Sequence, residues 1–323
     1  MSQRPSSVAR LVEIAKVQSV ESSNRIEGIV TTKARIRSLV ADKVMPRNRD
    51  EEEIMGYRDV LNTIHENHEY ITLHSNIVLQ LHRDLYAYSH KSIGGQYKNV
   101  QNSIIERLAD GREVERFKPL APYETPAAID EICQGVNAVH QDKSVDPLLV
   151  IPVFIHDFLC IHPFNDGNGR MSRLLATLLL YQNGYMIGKF ISLEQKIERT
   201  KDSYYAALGE SGVNWHRGEA DMVPFVKYML RVILAAYRDF ESRIELLTTS
   251  LCAKDRIKII ISATIGKVTK AGILEKQPDI AVSTAEKALK ELVEEGFIER
   301  RGAGRSTFYI KTLQKINFHT KYI

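Results

Sequence analysis

Apolar residues recur every third or fourth position along most of the first 250 residues of this 323-residue chain. That period constrains the fold more than any other feature, because only a helix keeps such positions on one face. It predicts helices over Val8–Val20, Asp50–Ile64, Ile71–Tyr86, Thr125–Val139 and Met222–Leu247, punctuated by Pro46, Pro119, Pro122, Pro126 and Pro224. One segment departs from the rule. Val100–Arg107 and Arg112–Phe117 read as extended runs joined by Asp110-Gly111, a hairpin turn pair. The expectation is a mainly α fold with one β-hairpin inserted among the helices.

The chain changes character near residue 253. Lys254–Ile265 reads as a helix, a short one follows near Ile273, and Ser283 or Thr284 is expected to cap a third that runs to Glu295 and ends at Gly296. Phe297–Arg300 and Ser306–Ile310 read as extended around the basic turn Arg301–Arg305. Three short helices and a hairpin form the layout of a winged helix-turn-helix. DNA contact is not favoured, since Glu286, Glu291, Glu294 and Glu295 on the third helix would repel phosphate. A packing or dimerisation module explains the layout equally, so a homodimer stays open. The expected domains are 1–70, 71–250 and 251–323.

Composition narrows the class. Apolar residues make up 44%, charged residues 26%, and the formal net charge is +4; these values fit a globular protein that builds its own core. Cys133, Cys160 and Cys252 are odd in number and widely spaced, which argues against a disulfide scaffold or a zinc site and for a reducing cytoplasm. The start MSQRPSSVAR has no apolar signal core, and Ile151–Cys160 and Leu174–Tyr181 are too short to span a bilayer. The expectation is a cytoplasmic protein with no membrane partner.

The run from His162 to Arg173, HPFNDGNGRMSR, concentrates the chemistry. Pro163 cannot continue the helix expected over Asp146–Ile161. Asn165, Asp166 and Gly167 are turn formers, and Arg170–Gln182 begins a new helix. Free N–H groups and the dipole at that helix start suit an anion, and Gly167 and Gly169 let a phosphate approach closely. Arg170 and Arg173 are three apart, so both are expected on one side of the first turn, as two guanidinium groups for a polyphosphate. Asp166 offers a hard oxygen to Mg²⁺, and His162 is a workable base near neutral pH. Singly, each piece is ordinarily a turn, a solvated face or a packed histidine. Joined at one loop–helix junction, they point to phosphoryl or nucleotidyl transfer.

Those twelve residues resemble the Fic family signature, HPFx[D/E]GN[G/K]RxxR, at every specified position. Gly95-Gln96-Tyr97-Lys98 and the following hairpin resemble the family's flap, with Lys98 where an arginine is more usual, and Tyr204-Tyr205 resembles its downstream aromatic pair. The resemblance implies a Fic helical bundle that transfers AMP from ATP, with Mg²⁺, onto a Tyr, Thr or Ser hydroxyl of a target protein. By the same resemblance His162 deprotonates the hydroxyl, Asp166 holds the metal, and the backbone of Gly167, Asn168, Gly169 and Arg170 cradles the phosphates. Arg173 meets the γ-phosphate, and Tyr204 and Tyr205 line the nucleoside pocket.

Nearer the start, Ser23-Asn24-Arg25-Ile26-Glu27-Gly28 resembles the family's inhibitory signature, [S/T]xxxE[G/N], which implies a brake built from Ser23, Glu27 and Gly28 and set against Arg173. Two other readings stay open: removal of AMP at the same site, with Glu27 orienting a water, and a DNA-binding regulator whose Fic core senses nucleotide. His156-Asp157 also appears in metal phosphohydrolases, but no matching set of ligands accompanies it, even with His82, Asp84 and His140 considered. His65, His68 and His74 read as surface residues, and Trp215-His216 as packing near the pocket.

Overall fold

The computed structural model describes residues 4–107, 113–142, 145–248, 252–264 and 266–312; the Asp110-Gly111 turn lies outside them. It is mainly helical and divides into two compact units, Val12–Arg238 and a second made of the described residues up to Leu11 and from Asp239 onward. Residues 12–70 thus pack in the same unit as 71–238.

Along the larger unit, which α1 (Arg4–Ile26) enters at Val12, α1, α2 (Lys33–Val40), α3 (Arg49–Asn67) and α4 (Ser75–Leu85) precede a hairpin, β1 (Ile104–Arg107) and β2 (Glu113–Phe117). Then come α5 (Thr125–Asp142), α6 (Pro147–Ile161), α7 (Asn168–Gln182), α8 (Leu193–Arg199), α9 (Lys201–Ser211) and α10 (Val223–Thr248), which leaves the unit after Arg238. The two strands pair antiparallel, Ile104 opposite Phe117 and Arg107 opposite Glu113, with an irregularity between Ile104 and Ile105. Helix α6 and the second half of α7 are apolar nearly all round, which demands burial on every side. They pack on each other, α3 covers α7, and α5 covers α6. From Arg170 to Tyr181 every residue of α7 is buried, so its first turn and the loop before it rest on a rigid core.

Several local expectations needed correction. The helix expected from Ile71 begins at Ser75, after a 3₁₀ turn at His68–Tyr70, because His74 has extended backbone. Asp146 lies outside α6 as its N-cap, accepting from the Leu148 N–H at 2.8 Å. His65 is buried, its ring against Tyr181, since α3 turns that face onto α7; His68 is half-buried against the same tyrosine and only His74 is exposed.

The smaller unit contains α11 (Ala253–Ala263), α12 (Lys270–Lys276), α13 (Val282–Glu294), β3 (Ile298–Arg301) and β4 (Phe308–Lys311), the strands paired antiparallel. One further bridge joins Val268 to Tyr309. Ile257, Ile260, Ile261, Ile273, Leu289 and Leu292 form its core. Ser283 and Thr284 do not cap α13: Ala281 holds that position without a side-chain bond, and both hydroxyl residues are exposed in the first turn. Ser306 belongs to a 3₁₀ turn rather than to the strand.

Candidate active site

His162 ends α6 in the left-handed conformation, φ 52°. This residue turns the chain at the point where Pro163 forbids further helix. Its Nδ1 lies 3.2 Å from the Leu159 carbonyl, which can only accept, so Nδ1 carries the proton and Nε2 keeps its lone pair. Burial pushes the imidazole down to about 4, reinforced by Lys98 and opposed by the Leu159 bond and Glu27. Near neutral pH the ring is therefore an unprotonated base.

The loop after it is closed by side chains. Asn168 accepts from the Phe164 N–H at 2.9 Å and donates to the Phe164 carbonyl at 2.7 Å, so its amide closes the loop on itself. Phe164 is fully buried and stacks on His82 with ring centres 3.6 Å apart. The His82 Nδ1 accepts from the Gly95 N–H, which leaves Nε2–H to donate to the Asp166 carbonyl at 3.0 Å. Lys98 donates its backbone N–H to Pro163 O and its ammonium to Ile161 O, both at 2.8 Å. Burial lowers this ammonium to about 8. Lys98 thus braces the main chain on both sides of His162.

Gly167 sits at φ 87°, and a Cβ there would meet the Tyr86 ring at 3.1 Å. It is the residue before the first turn of α7, whose free N–H groups face the site. Arg170 and Arg173 leave this turn toward different partners. Arg170 is fully buried, pairs with Glu53 at 2.8 Å, donates to the Tyr86 hydroxyl at 2.7 Å and lies over that ring. Its Nε and Nη1 have no hydrogen-bond partner. Breaking a buried pair such as Glu53–Arg170 from one side costs roughly 3–5 kcal/mol. Arg173 donates Nε–H to Ser23 Oγ at 2.8 Å, and Nη2 to Ser23 O at 2.9 Å and to Glu27 Oε1 at 2.8 Å.

Ser23, in the last turn of α1, and Glu27, just past its end, therefore both grip Arg173. The Glu27 carboxylate also lies against Gly169: a Cβ there would come within 2.2 Å of Glu27 Oε1. Gly28 lies in the turn after α1, its N–H on the Arg25 carbonyl. An anionic side chain thus rests on the N-terminal turn of α7, where the helix dipole favours it.

The Asp166 carboxylate faces a different way. It accepts from Lys91 Nζ at 3.0 Å, with Arg49 and Arg170 at 3.7 and 3.8 Å. Burial works to raise it, but Lys91 and Arg170 hold it below the ordinary carboxylate value. Tyr204 is buried among Phe225, Tyr228 and Tyr205, whereas Tyr205 is part-exposed with the Lys201 ammonium over its ring.

Sequence reasoning missed Arg49, Glu53, Tyr86 and Lys91 and left His82 idle. The one available signal was the i, i+4 spacing of Arg49 and Glu53 on α3. The residues set aside earlier have other engagements. His156 is buried against Phe225 and Cys160, Asp157 accepts from the Trp215 indole at 2.7 Å, and His140 bonds Asn183. His216 stacks on Phe117 of β2.

The model of the Fic/DOC family matches residues 71–180. A Fido domain-containing protein of Dictyostelium discoideum is 34% identical over 108 residues, 30% of this chain and 76% of that protein. A protein named protein adenylyltransferase Fic, from Nematostella vectensis, is 24% identical over 237 residues, 69% of this chain; the chain spans only 48% of that relative. The crystal structure of a Fic family protein from Desulfovibrio desulfuricans G20 superposes with a TM-score of 0.61, covering 97% of this chain and 90% of that one at 20% identity. That likeness speaks for the fold.

Proposed function

The chain belongs to the Fic/DOC family, and on that premise we propose that it transfers AMP from ATP to a hydroxyl side chain of a target protein and restrains itself through Glu27. The observation that carries the reading is the junction of α6 and α7. A histidine with a free Nε2 lone pair stands beside a helix start on which a carboxylate already rests.

In this reading the target hydroxyl gives its proton to His162 Nε2 as its oxygen attacks the α-phosphorus. The bond from the α-phosphorus to the bridging oxygen breaks, and pyrophosphate leaves. The N–H groups of the Gly167–Arg170 turn receive phosphate oxygens, and Arg170 offers two unpaired buried donors from a fixed position. Preorganised donors of this kind need no reorganisation as charge develops. Asp166, part-exposed and held ionised, suits Mg²⁺. Among the described residues no three His, Cys, Asp or Glu side chains group around a metal, so this ion would draw its other ligands from phosphates and water. When bound, it would neutralise phosphate charge. Tyr204 and Tyr205 form the aromatic side of the nucleoside pocket.

Glu27 restrains the reaction in two ways. It occupies Arg173, which then cannot grip the γ-phosphate, and its charge repels that phosphate from the α7 turn. The element order of the smaller unit suits a winged helix, and the exposed acids Glu286 and Glu294 on α13 disfavour DNA as its partner. The free cysteines suit a reducing cytoplasm, and among the described residues no helix is long and apolar enough to cross a membrane.

Intact mass after incubation with ATP and Mg²⁺ tests the proposal, on the protein alone and with cell extract, for the wild type and Glu27→Gly. The expected result is a gain of one AMP per modified site. No gain on any protein with either form refutes it.

A further inference from the structure

Charges alternate in sign behind the motif loop. Glu53 is buried on α3 and accepts from Arg49 Nε at 2.8 Å through Oε1, while its Oε2 faces Arg170 at 2.8 Å. Lys91, in the loop after α4, donates to Asp166 Oδ2 at 3.0 Å and stands 3.9 Å from Glu53 Oε1. One ammonium group therefore lies within ion-pair distance of two carboxylates. One of them is buried, and the other reaches solvent with 41% of its side chain exposed.

We propose that Lys91 is a placeholder for the divalent cation: it neutralises Asp166, and it moves onto Glu53 when a metal takes the Asp166 oxygen. The inference rests on the reading of Asp166 as the metal ligand. Of the cations around Asp166 among the described residues, Lys91, Arg49 and Arg170, Lys91 is the one free to do this. Arg170 is fixed between Glu53 and Tyr86, and Arg49 is held through Nε by Glu53. A lysine carries a compact charge on a flexible stem with three rotatable donors, so a small swing of its end exchanges one carboxylate for the other. A hard dication and an ammonium compete for the same oxygen, and Mg²⁺ takes it at closer range. Glu53 keeps the displaced charge paired, so Lys91 need not approach the incoming metal.

The test is Mn²⁺ binding to the full chain with saturating ADP, followed by electron paramagnetic resonance, in variants whose melting curves confirm folding. Partly exposed ion pairs are weak, so Lys91→Met is expected to tighten Mn²⁺ roughly two- to five-fold by removing the competitor. Glu53→Gln removes the second acceptor and is expected to weaken Mn²⁺; that loss disappears when Lys91→Met is added, because the two act through one group. Asp166→Asn is expected to abolish binding. Mn²⁺ binding that survives Asp166→Asn overturns the metal assignment together with the inference. If Asp166→Asn abolishes binding but Lys91→Met leaves it unchanged or weaker, the placeholder role alone falls. If Glu53→Gln weakens binding equally with and without Lys91, the transfer to Glu53 is wrong.

Discussion

At the scale of single residues, the proposed reaction assigns His162 and Arg173 to different ends of the substrate. His162 acts on the incoming hydroxyl while the phosphates are held elsewhere, so His162→Ala should cut AMP transfer by about 10²–10⁴-fold and leave ATP binding nearly intact. Isothermal titration beside a mass-spectrometric transfer assay separates the two effects. Because burial holds the imidazole at about 4, the base stays unprotonated from mildly acidic to alkaline pH, and kcat/KM should show no histidine-like fall between pH 8 and about 5.5. A half-loss near pH 6.5 would mean that the working histidine is exposed. Glu27→Gly should free Arg173 and raise AMP incorporation. Arg173→Ala should not, because it removes the γ-phosphate contact along with the tether, and the double variant should behave like Arg173→Ala. Intact mass of the three variants beside the wild type decides this.

At the scale of elements, α1 is fastened by α8 and α9 as well as by Arg173. Ser19 donates to the buried Glu194 at 2.7 Å, and Tyr57 and Ser192 donate to the same carboxylate at 3.1 Å. Arg25 reaches Glu198 at 2.9 Å, and Lys201 donates to the Ile26 carbonyl at 2.9 Å. Among the described residues no cation pairs with Glu194, so each hydroxyl matters; a hydrogen bond to a charged group is worth about 1.5–3 kcal/mol. Ser19→Ala should therefore loosen the end of α1 without touching the phosphate cradle. Amide hydrogen exchange over residues 19–27 should quicken, and self-modification should rise by less than in Glu27→Gly. Unchanged exchange in Ser19→Ala would show that the Ser19–Glu194 bond does not hold the helix.

At the scale of the whole molecule, three histidines that the fold holds unprotonated set an acid limit on it. Burial is the leading cause that brings His65, His82 and His162 each down to about 4. Their ordinary value in an unfolded chain is about 6.5. Between those values the unfolded chain takes up protons that the native state refuses, so stability must fall as pH falls. For a fully buried histidine such as His82 the loss approaches roughly 3 kcal/mol by about pH 4. Denaturant unfolding from about pH 4.5 to 7 should show this slope, and His65→Phe should make it shallower. Equal slopes in the two proteins would exclude His65 from the effect.

Much of the site was legible before any coordinates, because its geometry is local. A proline that stops α6, turn formers, a glycine before α7 and two arginines in its first turn are neighbours in the chain, and backbone sterics and the helix dipole act over that range. The main helices were legible for a similar reason, since burying one face imposes a period on the sequence. Tertiary packing decided the rest. Arg170 and Arg173 look equivalent three residues apart, yet one meets Glu53 and Tyr86 and the other meets Ser23 and Glu27, residues more than eighty positions away in each case. His65 reads as a polar surface residue until α3 lies on α7, and Lys91 is an ordinary loop lysine until α4 and the motif loop bring Asp166 to it. The sequence by itself determined that a histidine, a glycine-flanked helix start and two arginines lie together at the α6–α7 junction. Which charges surround Asp166, and what holds the Glu27 helix in place, depend on contacts between distant segments, and only the packed chain makes those contacts.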